Sequence, residues 1–259
     1  MRLEALQGHW ALVTGASSGI GREFAVQLAA AGVNLVLVAR RAERLRILAV
    51  ELSETHGIDA FALPADLAQP GIAERLHRRL REEEICPKLL VNNAALGRWA
   101  PFEKSPADFY EEMIRVNAVA PVSLCREFMP DLASSGRGVI INVSSPAAYQ
   151  PVPYMAVYAA TKALLHHFSL ALHEEWRGKG VWVQTFLPGP TPTKLEGAQA
   201  GIKGGSSATE MVRTSLARLG HPLVIGARGT FLQRLFVLLP TRFVLGRVGT
   251  MFRPQKNCT

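Results

Sequence analysis

Cysteine is scarce in this chain: three residues in 259, Cys86, Cys125 and Cys258, far apart in sequence. That excludes a disulfide scaffold and a cysteine-rich zinc centre, and it suits a reducing, cytoplasmic setting. No His-Glu-x-x-His or similar cluster is present, so no metal site is expected. Uninterrupted apolar runs of about 18 residues are missing too, which argues against a spanning helix. The first residues, MRLEALQGHWALVTGA, lack the apolar stretch of a secretory signal before the first strand. Acid is absent from the last fifth. Residues 211–259 carry eight Lys or Arg and no Asp or Glu, while residues 1–210 balance at 21 of each sign. The whole net charge of +8 therefore resides in the tail. Such a tail is compatible with anionic lipid, nucleic acid or an acidic ligand. It is also apolar, which weighs against nucleic acid.

With 48% hydrophobic and 19% charged residues, the chain can bury a large core. Apolar runs alternate with amphipathic stretches. Strands are expected at 10–13, 34–39, 60–63, 89–91, 138–143 and 181–187, with a short last one at 223–225. Helices are expected at 19–31, 41–56, 72–84, 106–134 and 155–177. Strands that are apolar throughout, separated by helices, indicate a Rossmann-type α/β fold: a doubly wound parallel sheet with helices on both faces. No repeat or linker divides the chain, so residues 1–259 are read as one domain. A mobile substrate loop is expected at about 190–215, rich in Gly, Pro, Thr and Ser, followed by a basic apolar segment at 227–259.

The first strand runs into Thr14-Gly15-Ala16-Ser17-Ser18-Gly19-Ile20-Gly21 and then a helix. Glycines there allow a tight turn and close backbone approach, and a helix N-terminus offers unpaired N–H groups to a pyrophosphate. The second strand ends Val38-Ala39-Arg40-Arg41. An acid at this point would bind a ribose 2′-OH and favour NAD. Guanidinium groups instead suit a 2′-phosphate, so NADPH/NADP+ is the expected cofactor. One of the two arginines begins the next helix, and Arg40 is favoured as the phosphate ligand.

Tyr158-Ala159-Ala160-Thr161-Lys162 lies in a helical stretch, where i, i+4 spacing puts phenol and ammonium on one face. A nearby cation lowers a tyrosine pKa from about 10 and equips it to protonate a developing alkoxide.

Together these motifs, with Asn92-Asn93-Ala94, Ser144-Ser145 and Pro188-Gly189, resemble the short-chain dehydrogenase/reductase family in order and spacing over about residues 8–193. The resemblance implies an oxidoreductase. Tyr158 would be the proton donor, and Lys162 would lower its pKa and hold the nicotinamide ribose. Ser145, thirteen residues before Tyr158, would polarise the carbonyl in preference to Ser144. Asn117 would support a water-mediated proton relay. Gly15, Ser17, Ser18, Gly19, Ile20 and Gly21 would cradle the pyrophosphate. Asp66 and Leu67 would sit at the adenine, Asn93 near the adenosine ribose, and Pro188, Gly189, Thr191 and Thr193 at the nicotinamide carboxamide. Val-Ala-Arg-Arg resembles NADP-preferring members. One departure is Ala95, where the family usually has glycine. Its methyl is expected to narrow the site, because alanine tolerates positive φ poorly.

The expected function is reduction of a ketone or aldehyde by hydride transfer. The alternatives are an alcohol dehydrogenase working oxidatively, or a non-catalytic NADP-binding sensor or scaffold. Trp99 and Phe102 could line a pocket or anchor a loop. Tyr149 and Tyr154 suit pocket walls, and His166 and His167 suit packing. For the tail, three readings stand: packing on the pocket or a subunit interface, a basic amphipathic contact with an anionic membrane, or a partner-protein site. A hydrophobic substrate would accompany the membrane reading. A homodimer or homotetramer built on the two long helices is expected from the resemblance.

Overall fold

The computed structural model describes residues 1–189, 207–226 and 241–251. Among them lie seven strands: β1 Trp10–Thr14, β2 Asn34–Ala39, β3 Ala60–Pro64, β4 Pro87–Asn92, β5 Gly138–Val143, β6 Val181–Leu187 and β7 Leu223–Ile225. They form one sheet in the order β3-β2-β1-β4-β5-β6-β7, with every neighbouring pair parallel. The helices are α1 Gly19–Ala30, α2 Ala42–His56, α3 Ile72–Glu82, α4 Ala107–Ile114, α5 Ala120–Ser134, α6 Ala156–Arg177, α7 Ala208–Leu216 and α8 Thr241–Met251. This is the doubly wound, Rossmann-type α/β architecture.

Period-two alternation divides the strand side chains between two apolar layers. Ala11, Val13, Leu35, Leu37, Leu89, Val91, Val139 and Ile141 face one side, where Phe24 and Leu28 of α1, Leu45 of α2 and Met211 of α7 cover them. Leu12, Val36, Val38, Leu90 and Ile140 face the other, under Leu76 and Leu80 of α3 and Leu124, Phe128 and Leu132 of α5. Strands covered on both faces must be apolar at every position, hence the unbroken runs in the sequence. All C-terminal strand ends lie at one edge. The order reverses between β1 and β4, and at such a switch point the loops diverge and leave a crevice for a ligand.

The structure departs from the sequence reading in two places. The single helix expected over 106–134 is two, joined by a π-turn at Arg115–Val119. Pro121 supplies the reason. It lacks the N–H that the Asn117 carbonyl would accept in an α-helix, and its ring crowds that carbonyl, so the ladder widens by one residue. The stretch expected as a mobile loop over about 190–215 includes a helix, α7, from Ala208 onward. Ser207 and Glu210 close a capping box on its N-terminus, and Met211 and Leu216 are buried against the sheet. Residues 190–206 lie outside the described residues.

The tail is described only over α8. Val244 and Val248, one turn apart, are buried against Val152 and Ala159, while Arg242 and Arg247 face solvent. Over this stretch the basic segment packs on the body of the domain. Residues 227–240 and 252–259 lie outside the described residues. Among the described residues no helix is long and apolar enough to cross a membrane.

Candidate active site

The loop after β1 is built on two close approaches. Gly15 has φ +67°, and a Cβ there would meet Asn93 Nδ2 at 2.7 Å and Ala94 Cα at 2.9 Å. A Cβ on Gly21 would overlap the Gly15 carbonyl and Asn93 Nδ2. Asn93 fills this space for a reason. Its Nδ2 donates to the Thr14 carbonyl at 2.9 Å, so it braces the loop from the β4 side. Thr14 completes the brace. Its Oγ accepts the N–H groups of Asn93 and Ala94 and donates to the Val91 carbonyl. Sequence reasoning gave Thr14 no role of its own, although a hydroxyl at the end of a central strand is well placed to tie two loops.

The donor set fits a pyrophosphate. No side chain caps the N-terminus of α1, and Ser18 and Gly19 are exposed there. The first N–H groups of the helix therefore point to solvent with their partial positive charge. Ile20 is half-buried behind them.

The two arginines divide. Arg41 reaches the loop, with Nη2 2.8 Å from both Ser17 Oγ and Ser18 Oγ. It also stands at the N-cap of α2, and among the described residues it pairs with no carboxylate. Desolvation, with the Arg44 and Arg40 cations nearby, pulls its pKa below the ordinary arginine value. That is a site short of negative charge. Arg40, the arginine favoured from sequence, instead forms an ion pair with Glu112 of α4, Nη1 to Oε1 2.8 Å. Asp66 follows β3, its Oδ1 accepting from Ala68 N–H at 3.0 Å, with Leu67 buried beside it.

At the ends of β4 and β5, Ser145, Tyr158 and Lys162 come together. Ser144 is structural: its Oγ donates to the Lys162 carbonyl at 2.8 Å. Ser145 caps a short 3-10 turn, Pro146–Tyr149, with its hydroxyl beside the Tyr158 phenol. Lys162 is buried, its Nζ donating to the Val143 carbonyl at 2.8 Å and lying 5.8 Å from the Tyr158 ring centre. Burial pulls its ammonium down to about 8. The sequence suggested that this cation would lower the tyrosine pKa. In the chain alone desolvation dominates and pushes the phenol above its ordinary value, with the Ser145 hydroxyl opposing.

Asn117, at the π-turn, holds the loop after β4. Its Oδ1 accepts from Leu96 N–H and its Nδ2 donates to the Leu96 carbonyl, each at 2.8 Å, with Thr161 Oγ a further partner at 3.2 Å. The amide is thereby spent as a brace. Ala95 is exposed in that loop, and among the described residues the positive-φ residues other than glycine are Glu84 and Tyr154. The backbone objection to alanine therefore does not arise.

Tyr154, at φ +67°, ties the loop before α6 to the loop after β4 by accepting from Ala100 N–H at 3.1 Å. A left-handed residue that is not glycine costs about 1 kcal/mol, so this tie is held by its surroundings. Phe102 is exposed and stacks on Tyr110, with ring centres 5.0 Å apart, which makes it a loop anchor. Trp99 is half-buried. Tyr149 packs edge-on against buried His166, and His167 is exposed. Pro188 and Gly189 are buried at the end of β6. Thr191 and Thr193 lie outside the described residues.

Comparison with known proteins agrees with this geometry. The family model for short chain dehydrogenase matches residues 9–201. The very-long-chain 3-oxoacyl-CoA reductase of Mus musculus is 31% identical over 217 residues, covering 82% of this chain and 69% of that protein. A solved structure from work on 7beta-hydroxysteroid dehydrogenase stereoselectivity superposes with TM-score 0.84 at 30% identity, covering 96% of this chain and all of the other. A short-chain dehydrogenase from Sphingobium yanoikuyae, solved in complex with NADPH, superposes with TM-score 0.79 at 30% identity over 97% of this chain and 98% of its own.

Proposed function

The chain belongs to the short-chain dehydrogenase family, and on that footing we propose that it reduces an apolar ketone or aldehyde to the alcohol with NADPH. The observation that carries the reading is the cluster of Ser145, Tyr158 and Lys162 at the C-terminal edge of the sheet, in the same crevice as an uncapped helix N-terminus.

NADPH, when bound, supplies the hydride. Gly15, Gly21 and the first turn of α1 would take its pyrophosphate, and Arg41, with Ser17 and Ser18, its 2′-phosphate. Ser145 and Tyr158 would both donate to the carbonyl oxygen, stabilising the charge that develops there. Tyr158 then passes its proton to that oxygen, and the cationic form of Lys162 stabilises the phenolate left behind. A phenol pushed above its ordinary pKa is protonated at neutral pH, the form that reduction needs. An intact Ser145, Tyr158 and Lys162 set supports an enzyme over a scaffold.

An apolar substrate is supported by relatives named for very-long-chain 3-oxoacyl-CoA and 7beta-hydroxysteroid chemistry, since a long acyl chain and a steroid each present an extended hydrocarbon body. The exposed Ile114, Val119 and Leu164 support a homo-oligomer built on these helices. The test is NADPH oxidation against a panel of long-chain 3-oxoacyl thioesters, ketosteroids and small hydrophilic ketones. Turnover of a bulky apolar member is expected. Turnover confined to small hydrophilic ketones would overturn the substrate assignment.

A further inference from the structure

The Arg40–Glu112 pair joins the rim of the nucleotide crevice to α4, and nothing in the reaction chemistry calls for it. We infer that Glu112 is an internal competitor for the 2′-phosphate: it holds Arg40 until a 2′-phosphorylated nucleotide arrives, and so sets how strongly the site prefers NADP(H). This rests on the NADPH reading above.

The geometry supplies both halves of the competition. Arg40 leaves β2 one residue past its end, where the adenosine ribose of a nucleotide in this crevice would lie. Its guanidinium is 2.8 Å from the Glu112 carboxylate, with the side chains 59% and 33% exposed. An ion pair so open to water is weakly held, so a phosphate dianion can displace the carboxylate. Arg41 makes the contrast. It is the next residue in sequence, and among the described residues its guanidinium bonds to the Ser17 and Ser18 hydroxyls and stays available. The site thus holds one uncommitted guanidinium and one that is shared. When Arg40 turns to the phosphate, Glu112 is left unpaired beside a dianion, and that repulsion opposes binding. A nucleotide with a bare 2′-OH neither recruits Arg40 nor meets the repulsion. Glu112 was not among the residues singled out from sequence. It lies 72 positions from Arg40, and no motif connects them.

The experiment is calorimetric titration with adenosine 2′,5′-bisphosphate and adenosine 5′-monophosphate, which differ only in the 2′-phosphate. The proteins are wild type, Glu112→Gln and Arg40→Ala, each checked for an unchanged melting temperature. Glu112→Gln is expected to bind the bisphosphate roughly fivefold tighter, with the monophosphate within about twofold of wild type. Arg40→Ala is expected to weaken the bisphosphate alone. Unchanged bisphosphate affinity in Glu112→Gln would overturn the competition. Weaker affinity would overturn it too, by making Glu112 a group that positions Arg40. The NADPH reading fails separately, if wild type binds both ligands equally. In that case a preference appearing in Glu112→Gln would still establish the competition, and none appearing would overturn it along with that reading.

Discussion

The Asn117 amide grips Leu96 from both sides, accepting from its N–H and donating to its carbonyl at 2.8 Å each. Two backbone groups of the loop after β4 therefore depend on one side chain at the π-turn. That loop passes the phosphate cradle through Asn93 and Ala94 and reaches the substrate side through the tie between Ala100 and Tyr154. One amide thus couples the two halves of the crevice.

Asn117→Ala should leave both Leu96 groups unpaired, at a cost of about 2 kcal/mol. In a chain of this size the melting temperature should fall by about 4–8 °C. Turnover should fall more than about tenfold as the loop loosens. Thermal melting and steady-state kinetics check both. A variant with unchanged stability would mean that water replaces the amide at no cost.

Gly21→Ala places a methyl where the Gly15 carbonyl and Asn93 already stand. Relief requires moving backbone, so a stability loss of about 1–3 kcal/mol is expected, together with loss of nucleotide binding. Denaturant unfolding and fluorescence titration with NADPH read the two effects. Normal binding would show that the loop adapts.

Much of this was written in the sequence. Strand positions followed from the double-sided burial of a parallel sheet, which leaves runs such as Leu35–Val38 no room for polar residues. The phosphate loop and the Tyr158–Lys162 pair were legible because their spacing is dictated by a turn and by a helical repeat. The π-turn was legible in principle, since Pro121 removes the donor that Asn117 needs, but helical periodicity runs across it with little change. The start of α7 was hidden by a loop-like composition, although Ser207-x-x-Glu210 spelled its capping box. The partners of Arg40 and Arg41 were not legible at all. Adjacent residues of the same type were sorted by contacts to Glu112, Ser17 and Ser18, which depend on how distant loops are brought together.

Arg41→Ala should weaken NADPH binding by roughly 10–100-fold, the worth of a charge-assisted contact to phosphate. NADH binding should be nearly unaffected. Fluorescence titration with both nucleotides decides it. Equal losses for the two would move Arg41 from the 2′-phosphate to the pyrophosphate or to the fold itself.

Lys162 is a cation below about 8 and neutral above it, since burial disfavours its charge. The cation stabilises the phenolate that forms as Tyr158 gives up its proton. For reduction, kcat/KM should therefore be flat in the acid-to-neutral range and fall about tenfold per pH unit above about 8. A profile flat through pH 9.5 would contradict the role given to Lys162.

In the proposed reaction Tyr158 delivers the proton to the carbonyl oxygen as NADPH delivers the hydride. The most direct test is Tyr158→Phe, assayed on an accepted ketone alongside a fluorescence titration with NADPH. The variant should bind NADPH as wild type does and lose roughly 10²–10⁴-fold in turnover. Turnover near the wild-type level with NADPH still bound would rule out Tyr158 as the proton donor.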